Sequence, residues 1–298
     1  MATLYTHKSE NVAKTYLLMA VFLCVVVAVG WAISWYFNNP GILFFAVVLA
    51  VVMNVGSYWW SDKLVIKLAG AKPAEEPQWL ELNRLVENLA ITAGLPKPRV
   101  YVITDPAPNA FATGRNAHHA VVAVTTGLLE MLDQNEMQGV LAHELSHIGN
   151  RDMLVSTVAV VLVGIITLAA DFFLRASFFG GGNRDSDGKS NPVLAIVAIA
   201  FVVLAPILAT LLQLAISRKR EFLADASGTL LTRYPEGLAS ALRKIGSYPA
   251  ALKRANNATA HLYISNPFGP KVAMGGISKL FMTHPPIEER IRALVGSE

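Results

Sequence analysis

Two histidines and a glutamate carry the strongest chemical signal in this chain, in the stretch His143-Glu144-Leu145-Ser146-His147. Residues four apart lie one above the other on a helix, so both imidazoles can reach one ion. Neutral imidazole nitrogen is a favoured zinc ligand. Glu144, beside the first histidine, is placed to take a proton from a water activated by the metal rather than to bind the metal itself. The H-E-x-x-H spacing thus points to metal-assisted hydrolysis with Glu144 as general base. A chance match on an amphipathic helix is the competing reading.

A hydrolytic zinc site needs a third protein ligand and an open position for water. Far down the chain, Ser217-Arg218-Lys219-Arg220-Glu221-Phe222-Leu223-Ala224-Asp225 places two carboxylates four apart on one helical face. Glu221 is the candidate ligand. Asp225 is the candidate carboxylate that orients a ligating imidazole through its other ring nitrogen. These acids can equally be a solvated cluster paired with Arg218, Lys219 and Arg220 at the end of an apolar helix.

The elements that must position these groups follow from pattern. Asp133 and Glu136 form a capping box ahead of the histidine helix, and Met137, Val140, Leu141, Leu145 and Ile148 recur at helical spacing. His143 and His147 continue the Val140 row, so they face a buried side where an unsatisfied polar ring is costly. Upstream, Gln78 to Ala93 reads as an amphipathic helix stopped by Gly94 and Pro96. Arg99–Thr104, Asn109–Gly114 and Ala120–Thr125 read as three short strands of a small sheet. Tyr234 to Ile245 reads as a helix with Pro235 in its first turn. Residues 255–276 read as a loop or lid, and Pro285-Pro286 open a last helix that leaves His284 just outside it. His7, His118, His119 and His261 have no partner at ligand spacing.

Composition sets the environment. Hydrophobic residues make up 53% of the 298 residues and charged residues only 15%, the balance of a membrane protein. The net charge of +4 is modest, and no basic run is interleaved with aromatics, so nucleic acid is excluded as a partner. The single Cys24 cannot form an intrachain disulfide. Four apolar runs are each long enough to span a bilayer: Tyr16–Phe37, Ile42–Trp60, Met153–Phe173 and Pro192–Ile216. The first lacks the short core and small-residue cleavage site of a signal peptide. Tyr58, Trp59 and Trp60 are placed as an interfacial belt. Lys8, Lys14, Lys63, Lys67, Lys72, Arg151, Arg218, Lys219 and Arg220 fall on one side of the four runs, against Arg175, Arg184 and Lys189 on the other. The positive-inside rule puts both termini and the His143 segment in the cytoplasm.

Three motifs together resemble one family. His143-Glu144-Leu145-Ser146-His147, Arg220-Glu221-Phe222-Leu223-Ala224-Asp225 and His284-Pro285-Pro286-Ile287-Glu288-Glu289-Arg290-Ile291 stand in the order and spacing of the HtpX family, membrane zinc metalloproteases related to the CAAX prenyl proteases. The resemblance covers nearly the whole chain. One small departure is Phe222, where the resemblance leads one to expect tyrosine. It implies a bacterial inner-membrane endopeptidase, multi-pass and active toward the cytoplasm, that degrades misfolded or damaged membrane proteins under stress alongside other quality-control proteases. It implies one Zn2+ per chain on His143, His147 and Glu221, and a catalytic role for His284 beside Glu144.

The fold expected is α+β and mainly α, with four transmembrane helices and a cytoplasmic zincin-like metalloprotease domain carrying a small β-sheet. The divisions are a transmembrane hairpin (1–60), a first catalytic part (61–152), a second hairpin (153–216) and a second catalytic part (217–298). Substrate backbone is expected to pair with the strand at Asn109, Ala110, Phe111 and Ala112. The alternative is a non-enzymatic membrane zinc-binding or scaffold protein, which leaves Glu144 unexplained. A channel or transporter requires charge deep within the apolar runs, which is nearly absent.

Overall fold

The computed structural model describes residues 4–159, 162, 218–255, 259–269 and 285–296. Most of the third apolar run, all of the fourth, and His284 lie outside these residues.

The chain opens with two long helices, α1 (Leu4–Tyr36) and α2 (Pro40–Ala69). Asn38 turns the chain with φ 47°, and the Asn39 side chain accepts from Gly41 N–H to cap α2 ahead of Pro40. Gly30 lets the helices close: a Cβ there would meet the Ala46 Cβ at 2.2 Å. Segments Ser9–Tyr36 and Pro40–Ala69 have the length and composition to cross a membrane. Trp35, Phe44 and Phe45 stand exposed on them, as lipid-facing side chains do. Helix extends further than the apolar runs at both ends. α1 begins in the polar leader, and α2 continues past Tyr58–Trp60 until Gly70 caps it with φ 67°. Apolar content reports the bilayer's thickness, whereas helix ends where a cap ends it.

A mixed four-stranded sheet follows, in the order β1 (Lys72–Pro73), β2 (Arg99–Ile103), β4 (Val121–Thr125), β3 (Ala110–Thr113). β2 and β4 are parallel, while β1–β2 and β3–β4 are antiparallel. The three expected strands form in their places, and the fourth, β1, was not among those expected. Two residues carry no alternation to detect, and β1 is built by Ala74 N–H donating to Val100 C=O and by pairing with β2. A 3₁₀ turn (Pro77–Trp79) precedes α3 (Leu80–Thr92).

After β4 come α4 (Thr126–Met131) and α5 (Gln134–Asn150), the histidine helix. The expected capping box is present: Asp133 accepts from Glu136 N–H and Glu136 accepts from Asp133 N–H, each at 2.9 Å. α5 ends at Arg151 with φ 58°, and a new helical stretch begins at 152. Beyond the undescribed segment lie α6 (Arg218–Thr232), α7 (Pro235–Ser247) and α8 (Ile287–Val295).

The main core lies between the sheet and helices α3, α5 and α7, built from Val86, Leu89, Val122, Val124, Val140, Leu141, Leu145, Leu238 and Leu242. The opposite sheet face, with Ile103, Phe111 and Ala123, packs on the end of α2 through Val65 and Ala69. A third cluster joins Leu18 and Phe22 of α1 to Leu154, Val155 and Val158, so the first membrane helix rests on the segment that follows α5. Two glycines set the helix spacing around α5. A Cβ on Gly139 would stand 2.7 Å from Leu238 N, and one on Gly228 would stand 2.8 Å from His143 N. α6 and α7 therefore lie backbone-close against α5.

Candidate metal centre

α5 presents His143 and His147 on one face, their rings perpendicular at 89° and 4.7 Å between centroids. Their Nε2 atoms point at each other across 3.1 Å. α6 brings Glu221 against them, with Oε2 3.8 Å from His143 Nε2 and Oε1 3.6 Å from His147 Nε2. One candidate ligand atom from each of the three residues lies within 4.8 Å of the others. Ligands on one tetrahedral zinc, at bond lengths of about 2.1 Å, stand roughly 3.4 Å apart. The spacing fits such an ion.

The outward ring nitrogens are held by carboxylates. His143 Nδ1 lies 2.9 Å from Asp225 Oδ1, and His147 Nδ1 lies 3.3 Å from Asp152 Oδ2. An imidazole whose Nδ1–H donates to a carboxylate keeps the Nε2 lone pair for a metal. Asp225 is the carboxylate that stands so at His143. Asp152 does the same for the second histidine, a part the sequence reading did not assign. The left-handed turn at Arg151 makes it so, folding the chain back until residue 152 faces residue 147.

Arg290 was also missed. It is 0% exposed and clamps Asp225 with both prongs, Nε to Oδ2 at 2.9 Å and Nη2 to Oδ1 at 2.6 Å. Its Nη1 donates to Ile264 C=O at 3.1 Å and stands 3.7 Å from Glu221 Oε2. A sequence signal existed: Ile287, Ile291 and Leu294 form the packed stripe of α8, and Arg290 sits within it. A cation on an apolar stripe needs a buried partner.

Charge at the site calls for a cation. Glu144, Asp152, Glu221 and Asp225 are all buried, while among the described residues Arg290 and the mostly buried Arg220 are the cations facing them. Four carboxylates against two guanidinium groups leave an excess that a divalent ion would balance. Proton affinities reflect the same excess. Burial draws the His147 imidazolium down, yet Asp152, Glu221 and Glu144 outweigh it and hold the ring up at about 9. Burial holds His143 down at about 4 despite Asp225. Burial and Glu221 raise Glu144 to about 7, against the pull of His147 and Arg290. Burial works against the Asp225 carboxylate too, but Arg290 and His143 hold it well below its ordinary range.

Glu144 is 2% exposed and accepts the backbone N–H of Ala112. β3 is an edge of the sheet, so the strand expected to read substrate runs beside the candidate base. Part of that edge is engaged by the chain itself. Tyr263 bridges Phe111, Ile264 N–H donates to Ala110 C=O at 2.9 Å, and Asn109 Nδ2 donates to Ser265 C=O at 3.0 Å. Of the four residues named for substrate, Ala112 is the one whose backbone faces Glu144. His284 lies outside the described residues.

Comparison with known proteins follows the same lines. The model of peptidase family M48 matches residues 76–298. "Protease HtpX homolog" of Caldanaerobacter subterraneus subsp. tengcongensis is 47% identical over 98% of this chain and 97% of its own. The Thermoanaerobacter pseudethanolicus protein of the same name is 46% identical over the same shares, and that of Dictyoglomus thermophilum is 45% identical over 98% and 94%. The crystal structure of S. mikatae Ste24p superposes with a TM-score of 0.51 at 19% identity, covering 98% of this chain and 67% of that one, a likeness of fold. With two membrane-length helices and the His-His-Glu cluster in place, the chain belongs to peptidase family M48 and, within it, to the HtpX membrane metalloproteases.

Proposed function

We propose that this metalloprotease is a zinc-dependent endopeptidase of the bacterial inner membrane that cleaves misfolded or damaged membrane proteins on the cytoplasmic side. The observation that carries the reading is the convergence of two imidazole Nε2 atoms and the Glu221 carboxylate beside Glu144.

His143, His147 and Glu221 would hold the zinc, and Asp225 and Asp152 would fix the two ring orientations. Zinc, when bound, supplies the Lewis acid that polarises the scissile carbonyl and acidifies the attacking water. Glu144 takes the proton of that water and returns it to the leaving amine. Ala112, at the strand edge, would align the substrate backbone. His284 is proposed as a donor to the developing oxyanion. Backbone pairing with little side-chain selection suits the clearance of damaged proteins, and membrane-embedded substrates suit a site close to two membrane-length helices.

Zinc content and casein cleavage in detergent, with and without chelator, test the reading. Chelation should abolish cleavage, and zinc should restore it. Glu221→Ala should remove most bound zinc, and full occupancy in that variant would overturn Glu221 as the third ligand. Cleavage that is indifferent to chelation would favour the scaffold alternative, with a contaminating activity.

A further inference from the structure

The carboxylate behind His147 is itself held, and its holder lies on the first membrane helix. Asn11 Nδ2 donates to Asp152 Oδ1 at 2.6 Å and to Asn150 C=O at 3.0 Å. The orientation of this amide is not arbitrary. A carboxylate and a carbonyl only accept, so the nitrogen must face both. Asn11, Asn150 and Asp152 are all at most 4% exposed. The two oxygens of Asp152 are thereby divided, Oδ2 toward His147 Nδ1 and Oδ1 toward Asn11. Without the amide, Oδ1 of Asp152 would lose its short hydrogen bond and keep Arg220 Nε at 3.9 Å. Apolar packing of Leu18 and Phe22 on Leu154, Val155 and Val158 holds the helices in place, and Asn11 gives α1 a polar grip on the centre.

We propose that Asn11 is a positioning residue of the metal centre, acting through Asp152 on His147, so that the first membrane helix takes part in metal binding. The inference rests on the metal reading of His143, His147 and Glu221, and its test separates the two. Purified full-length protein is stripped of metal, and zinc affinity is measured by competition with a chromogenic chelator in four backgrounds: unaltered, Asn11→Leu, Asp152→Ala, and both together. Partners of metal-ligating histidines typically contribute about 10–100-fold in affinity. Asn11, one bond further out, should contribute roughly the lower figure. The expected result is about a tenfold loss in Asn11→Leu, a larger loss in Asp152→Ala, and no further loss when Asn11→Leu is added to Asp152→Ala.

Thr15→Ala is the control for a merely structural effect. Thr15 Oγ donates to Asn11 C=O at 2.9 Å in the same helix turn without reaching Asp152. This variant should lower the melting temperature of the metal-free protein and leave zinc affinity unchanged. An unchanged affinity in Asn11→Leu, or equal losses with and without Asp152, would overturn the proposal. So would failure of both Asn11→Leu and Asn11→Ser to fold, which would make the residue structural. Absence of zinc binding by the unaltered chain would instead sink the metal reading.

Discussion

Arg290 and Asp225 form a two-pronged ion pair shut away from solvent, one guanidinium edge against both carboxylate oxygens. Asp225 in turn faces His143 Nδ1, so an arginine near the end of the chain holds a histidine of α5 through one intermediate. Removing one partner of such a pair leaves a buried charge, at a cost of about 3–5 kcal/mol. Arg290→Ala should lower stability by that order and release zinc. Arg290→Lys keeps the charge but loses the fork. It should fold, with zinc affinity reduced by about 10–100-fold. Thermal unfolding and chelator competition check both, and a fully loaded, fully stable Arg290→Lys protein would show that the fork is dispensable.

Glu144→Gln should keep zinc and lose proteolysis by about a hundredfold or more, the usual contribution of a general base. The amide preserves shape and can still face Ala112, but it cannot take a proton. Metal analysis beside casein cleavage distinguishes this from a ligand variant, and near-normal cleavage would sink the assignment.

Glu136 governs an acid-sensitive part of the stability. Burial favours its neutral form, but Lys244, Ser240 and the Asp133 N–H outweigh that and hold its carboxyl below the ordinary value. Oε2 lies 2.7 Å from Lys244 Nζ and Oε1 lies 2.6 Å from Ser240 Oγ, tying α5 to α7. A depressed folded value means that the stabilisation is complete above the ordinary glutamate value of about 4.3 and is lost as pH falls through the folded one. Glu136→Gln should therefore cost about 1–2 kcal/mol at neutral pH, and its deficit should shrink below about pH 4. Melting temperatures across this range test the sign. A deficit that grows with acid would refute it.

Topology is open to labelling. In a Cys24→Ser background, Ser186→Cys should react with an impermeant thiol reagent from outside the cell and Ser278→Cys should not, as the lysine and arginine asymmetry requires. The reverse pattern would place the metal centre on the other face of the membrane.

Much of the site was legible because local rules wrote it. The Asp133–Glu136 box, the apolar row through Val140 and the His143–His147 spacing all lie within one helix, and all appear in α5 as read. Glu221 and Asp225 were legible as a four-residue spacing on a second helix and as candidates to complete the histidine site, with a solvated charge cluster left open beside that reading, because which helix they face depends on packing. Asp152 escaped for a different reason. Its place beside His147 comes from a single left-handed residue, Arg151, and nothing about arginine announces positive φ. Asn11 escaped because its partners are about 140 residues away. β1 escaped because a two-residue strand exists only through its neighbour. Arg290 was quoted within a motif and left without a role, although its position on an apolar stripe could have supplied one.

Gly228 gives the distance between the two helices a chemical lower limit. At that point the only side chain between α6 and the His143 backbone is a hydrogen atom. Glu221 lies about two turns away on the same helix, so the closeness at residue 228 sets how far its carboxylate can reach toward the imidazoles. A methyl group there would act as a shim. It would push apart two helices whose ligands are all chemically intact, widening the gap an ion must bridge. The capacity to hold a metal thus resides partly in a residue with no ligand atom, and a chain with every donor in place can lose its metal through one added carbon.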